Sequence, residues 1–197
     1  MNVNELDIIA RTRIEVMSNR EPTGENLFLA WGYPTAIFLF VEFLALKLAN
    51  EVWCSWIWLG IPVVGVPLMM HFTKKDYERT GRRTLNSNII LQMWIYIGAV
   101  SFLGGLTIGI AHVFEQLYGT FQTLLISMGC FLTGVILRFR PKTVCGIIGT
   151  ALSFACLFFQ GEQWPWQLFI AAVITVVTLI IPGHLFHRYV EKVKREI

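Results

Sequence analysis

The sequence predicts an all-α, polytopic integral membrane protein: six transmembrane helices preceded by an N-terminal amphipathic surface helix. Three observations predict it. Hydrophobic residues make up 55% of the 197 positions and charged residues only 15%, against about 45–50% and about 25% in an ordinary soluble domain. The apolar residues gather into six runs, each near the ~20 residues that cross ~30 Å of hydrocarbon. Lys and Arg fall almost wholly in alternate connections between those runs. A water-soluble body of this length cannot cover so much apolar surface. Disorder is excluded by the same composition. Four cysteines are too few for a disulfide framework, and a net charge of +3, dispersed along the chain, does not point to nucleic acid.

Residues 1–25 form a cytoplasmic amphipathic segment. Over Asn4–Met17, Val3, Leu6, Ile9, Ala10, Ile14, Val16 and Met17 share one face at 100° per residue, and Asp7, Arg11, Glu15 and Ser18 lie opposite. Ile8 and Arg13 break the pattern. A helix lying on the inner membrane surface is the first reading, and a dock for a cytosolic partner the second. Pro22 and Gly24 end the segment, and Asn26 can cap the first span.

The membrane domain covers 26–187, with spans over Leu27–Leu48, Trp53–Phe72, Ile89–Ile110, Phe121–Phe139, Thr143–Phe159 and Trp166–Leu185. Continuous apolarity, rather than alternation, favours helices over a barrel. With both termini cytoplasmic, the inner flanks hold Arg11, Arg13 and Arg20; Lys74–Arg83; Arg138, Arg140 and Lys142; and the basic tail 188–197. Of 16 Lys and Arg, only Lys47 falls outside. Trp53, Trp56 and Trp58, and Trp164 and Trp166, stand at the outer interface as an aromatic belt. The location follows as an integral membrane, the cytoplasmic one in a bacterium.

The inner loop KKDYERTGRR carries Lys74, Lys75, Arg79, Arg82 and Arg83 against two acids. It suits anionic lipid headgroups or a phosphorylated ligand, and also satisfies topology alone. No Gly-rich run cradles a nucleotide. His71, His184 and His187 gather near the inner face as a weak metal-site candidate, with His184 and His187 three residues apart. No cofactor is expected. Enzyme signatures are sparse: there is no HExxH, Ser127 lies in ISMG rather than GxSG, and the only aspartates are Asp7 and Asp76.

The membrane interior is unusual at two places. Glu42 is the one acid well inside a span, and a charge at that depth costs ~2.5–3.5 kcal/mol on insertion scales. Its own helix offers no partner. In the second span, Pro62 and Pro67 remove backbone donors and release the carbonyls of Trp58 and Val63. A depth count places Glu42, the Trp58 carbonyl, Gly104, Gly105, Ser127, Ser153, Cys156 and Ala171 in one outer layer. The first functional reading is a small transporter or permeation protein. It has a polar cavity around Glu42, Trp58, Pro62 and Ser127, coupled to protons through the carboxyl. The alternative is a non-transporting sensor, scaffold or complex subunit, and the third an intramembrane enzyme. Expected partners are the bilayer, anionic headgroups at the inner face and a second copy through small-residue faces such as Gly105 and Gly109.

Overall fold

The computed structural model describes residues 25–48, 52–80, 85–111, 115–159 and 161–195, and no strand occurs among them. The amphipathic segment Asn4–Met17 therefore lies outside the described residues, as do Arg82 and Arg83. Helix α1 covers Glu25–Leu48. A 3-10 segment, Val52–Leu59, runs into α2 (Gly60–Thr80), followed by α3 (Leu85–Ala111) and α4 (Glu115–Ile136). Helix α5 (Arg140–Ser153) tightens into a 3-10 turn over Phe154–Phe158. After a short turn at Gly161–Gln163 come α6 (Pro165–Thr175), a π-turn over Val176–Ile180, and α7 (Ile181–Arg195). Six stretches are long and apolar enough to cross a membrane: Leu27–Leu48, Trp56–Lys75, Asn88–Ile108, Leu117–Ile136, Arg140–Phe158 and Pro165–Tyr189.

The six stretches do not share the core equally. Helix α1 packs on α2 and on α6, α4 lies along α5, and α3 rests on α4. Burial inside the protein reaches 44% of the first and sixth stretches and 39% of the fourth, but 17% of the third and 6% of the second. A helix that is apolar all round and this little covered needs lipid or a partner on its open face. Phe43 meets Trp166 at 5.2 Å and Phe169 at 5.5 Å between ring centroids. At the other end of α1, Gly183 abuts Leu29 and Phe28. The first and sixth stretches are thus antiparallel, and both described ends of the chain lie at one end of the bundle. One apolar core cluster joins Phe28, Ile90 and Leu179, with Trp94, Ile126, Ile136 and Leu137 packed against it.

Three local features depart from six plain helices, and each has a sequence cause. Pro62 does not kink a helix midway. The first part of the second stretch is 3-10, and α-helix begins at Gly60, so Pro62 sits in a first turn where its missing N–H is not needed. Between α4 and α5 the chain turns within Leu137–Phe139. Arg138 donates to the Val135 carbonyl at 3.1 Å and Phe139 to that of Gly134 at 2.9 Å. This is a Schellman cap, with Arg138 at φ 53° in the left-handed place usually given to glycine. Pro141, in the first turn of α5, restarts the helix at once. The third departure is the π-turn. Pro182 lacks the N–H that would bond Thr178, and the preceding turn widens so that Ile181 donates to Val176 five residues back.

Candidate functional site

The short α4–α5 turn changes the reading of the inner loop. Lys142 is not a loop cation: α5 already runs through it, and the side chain is fully buried. Its Nζ lies over the Phe28 ring, 2.6 Å from the centroid, and has no hydrogen-bond partner. Arg138 and Arg140 on either side of Phe139 are exposed. The fourth stretch is Leu117–Ile136, three to four residues earlier in the chain than the expected Phe121–Phe139. Ser127 accordingly lies at its middle and not in the outer layer with Glu42.

Three helices converge at that middle. Gly149 of α5 has no room for a side chain: a Cβ would collide with Thr178 Cγ2 of the π-turn and approach Ser127 Oγ to 2.6 Å. Each of the three residues lies within about one residue of the centre of its own stretch. Cys130, one turn from Ser127, donates its S–H to the Thr178 carbonyl at 2.8 Å. That carbonyl is the one Pro182 leaves without its helical donor, so the thiol replaces a backbone bond. Ser127 Oγ is fully buried and has no hydrogen-bond partner. The inference drawn from Pro62 at Trp58 therefore applies more directly to Pro182, because this freed carbonyl is enclosed in the bundle.

Glu42 is only 3% exposed, and its Oε2 has no hydrogen-bond partner. That oxygen makes no bond to the Trp58 carbonyl, which the depth count places in the same layer. Trp58 instead meets Phe102 edge-on at 6.2 Å, and Pro62 is half-buried at the start of α2. Tyr118 of α4, whose side chain is hydrogen-bonded to Gln122, lies within electrostatic reach of Glu42. Gln122 in turn donates to the Ser101 carbonyl of α3 at 2.8 Å. The space beside Gly105 is taken by Tyr118 Oη, so this small-residue position is covered within the chain and is not open to a second copy. A groove of about 430 Å³ does open between α1 and α2, but its lining, including Tyr33, Ile37, Val64 and Leu68, is apolar and excludes Glu42 and Ser127.

His71, His184 and His187 do not assemble. Among the described residues no three of His, Cys, Asp and Glu come together as a metal site. His184 Nε2 bonds Tyr33 Oη at 2.7 Å, and His71 contacts the edge of Phe72. Lys74 and Lys75 are exposed near the end of α2, and Arg79 follows in the same helix. Glu42 and Ser127 are thus both buried, as is Lys142 unexpectedly, and Trp58 and Pro62 are half-buried. No protein-family profile, curated protein or solved structure matches the chain.

Proposed function

We propose that the protein is a small membrane transporter or permeation protein whose polar path runs through the bundle past Glu42 and Ser127. The observation that carries this reading is Glu42: a carboxyl enclosed in a span-length helix, with its buried Oε2 left without a hydrogen-bond partner. Such a group is costly to keep in an apolar bundle and serves best as a ligand or proton carrier. Broken helix beside Ser127, at the π-turn over Val176–Ile180, supports the reading, since irregular backbone in a bundle is characteristic of transport sites. In this reading the chain inserts with both ends cytoplasmic, the amphipathic segment 1–25 lies on the inner leaflet, and Lys74 and Lys75 face anionic headgroups.

The test uses purified full-length protein in proteoliposomes. Swelling in a panel of small neutral and charged solutes is recorded together with an internal pH dye. Wild-type protein accelerates entry of at least one solute, and Glu42→Gln abolishes it while thermal unfolding stays unchanged. Wild-type vesicles no faster than empty ones for every solute and for protons overturn the reading and favour a sensor or scaffold. Orientation is checked by single-cysteine labelling: Thr80 from inside, Gln116 and Gln163 from outside. External labelling at Thr80 reverses the assignment.

A further inference from the structure

Helices α1 and α2 meet along a seam set by two glycines of α2. Gly60 seats the Phe38 ring, and a Cβ at Gly65 would lie 2.7 Å from the Trp31 ring. Beside that contact runs the groove of about 430 Å³, within the about 300–1,000 Å³ of ordinary ligand pockets. Its walls are two stripes at four-residue spacing: Leu29, Tyr33 and Ile37 on α1, and Val64, Leu68 and Phe72 on α2. That spacing keeps side chains on one face of a helix. Tyr33 is the one polar side chain of the lining, and its hydroxyl is already bonded to His184 Nε2 at 2.7 Å. An apolar occupant is what these walls fit.

The groove is one leaflet deep. Each stripe covers eight residues of rise, about 12 Å at 1.5 Å per residue. Half of a ~30 Å hydrocarbon core is ~15 Å. Both stripes also fall in the same half of the bundle, since Leu29–Ile37 is the first half of Leu27–Leu48 and Val64–Phe72 the second half of Trp56–Lys75. A membrane-spanning helix from a second copy needs the full depth. An acyl chain of a single leaflet needs only this half.

The end of the groove is cationic. Lys75 follows Phe72 by three residues, so it continues the α2 stripe about 4.5 Å further along the helix. Lys75 and its neighbour Lys74 are both exposed. Glu78 is exposed one turn further on, yet the loop as a whole, Lys74–Arg83, carries five bases against two acids. At this end of the bundle α7 adds exposed Arg188, one turn past the His184 that holds Tyr33. Long basic side chains lay their stems on apolar surface and extend the charge to the headgroups.

We propose that the α1–α2 groove binds an anionic phospholipid of the leaflet at the Lys75 end, with one acyl chain between the two stripes and the phosphate held at Lys75. The site rests on the bilayer placement and headgroup contact of the proposed function, and not on flux past Glu42. A zwitterionic headgroup brings its own ammonium to a basic rim, so the rim selects lipids with net negative charge. The walls hold the chain by apolar contact whatever the headgroup.

The experiment uses full-length protein in nanodiscs of equal phosphatidylglycerol and phosphatidylcholine with identical chains. One lipid or the other carries a photoreactive diazirine midway along a chain, and adducts are mapped by mass spectrometry. Phosphatidylglycerol adducts are expected to concentrate on residues 29–38 and 64–72, at least threefold above phosphatidylcholine. Lys75→Gln, at an exposed position, should remove that preference. Ile37→Trp, also exposed, fills the groove and should lower adducts of both lipids there at least threefold, while adducts at Tyr96 and Leu103 of α3 stay as in wild type. Adducts spread evenly over α1, α2 and α3 show surrounding lipid only and overturn the site. Equal labelling of the groove by the two lipids, or a preference that survives Lys75→Gln, overturns the anionic assignment. Groove labelling that appears only after deletion of residues 1–20 gives the groove to this chain's own N-terminal segment, and cross-links between two copies at Ile37 give it to a second copy; either overturns the proposal. Flux is not read, so a failed permeation assay leaves this site standing, and a failed lipid site leaves the permeation reading standing.

Discussion

Gly146→Ala tests how closely the structure draws α4 and α5 together. An added Cβ at Gly146 would lie 2.5 Å from the Phe131 nitrogen and 2.6 Å from its Cα. Ordinary contacts of this kind begin at 3.4 Å, so the helices must part by roughly 0.8–0.9 Å. The opposing atoms are backbone and cannot rotate away. Overpacking of this order costs about 1–3 kcal/mol. Alanine also recovers up to about 1 kcal/mol of helix propensity over glycine, which would mask part of the strain. Gly98→Ala removes that ambiguity, because a Cβ there meets nothing within 4 Å. The propensity gain is common to both variants and cancels in their difference. Gly146→Ala should therefore be about 1–3 kcal/mol less stable than Gly98→Ala, read from unfolding in mixed micelles titrated with denaturing detergent. Equal stabilities, within about 0.5 kcal/mol, would show that α4 and α5 do not approach as described.

Three further outcomes follow from separate parts of the fold. Arg138→Gly should raise stability by about 1 kcal/mol in the same assay, since Arg138 holds φ 53° at the α4 cap; a loss would place the turn elsewhere. Trp94 Nε1 donates to Thr133 Oγ1 at 3.0 Å, joining α3 to α4. A Trp94→Phe, Thr133→Val double-mutant cycle should give a coupling of about 0.5–1.5 kcal/mol, and a coupling near zero denies the bond. Glu42→Met should stabilise the fold by about 1–3 kcal/mol while abolishing flux, because it removes an unpartnered buried oxygen. A stability loss there would mean that Glu42 is held by a partner.

The helical architecture was legible because long, continuously apolar runs have few structural solutions. Span length and continuous apolarity located six stretches that the structure also finds, with ends differing by a few residues. Composition could not say which of them are central. The second stretch is nearly as apolar as the well-buried fourth, yet it is the least covered by protein, so apolarity alone does not report which helices are central. Glu42 could be found as a buried carboxyl from depth alone. Its neighbours could not, since they depend on how α3 and α4 are rotated, and a rotation of one residue, about 100°, exchanges Tyr118 for another side chain.

Lys142 shows where counting charges reaches its limit. The basic residues between the fourth and fifth stretches read as one cytoplasmic cluster, because the positive-inside rule sums charges without asking where each side chain points. Their fates differ for a local reason. The Schellman cap at Arg138 spends only Leu137–Phe139 on the turn, and Pro141 restarts the helix, so Lys142 is already in the first turn of α5. At 100° per residue, Lys142 lies about 200° around that helix from Arg140. With Arg140 outward, Lys142 is carried inward, onto Phe28. The signal was present in the spacing, but only once the turn's length was known. The Thr178 carbonyl is the converse case: Pro182 exposes it by a rule that needs no structure, and only the packing of α4 shows that Cys130 answers it. Each of these groups is set by a proline and a one-residue register, which is why the polar interior followed from the fold and not from composition.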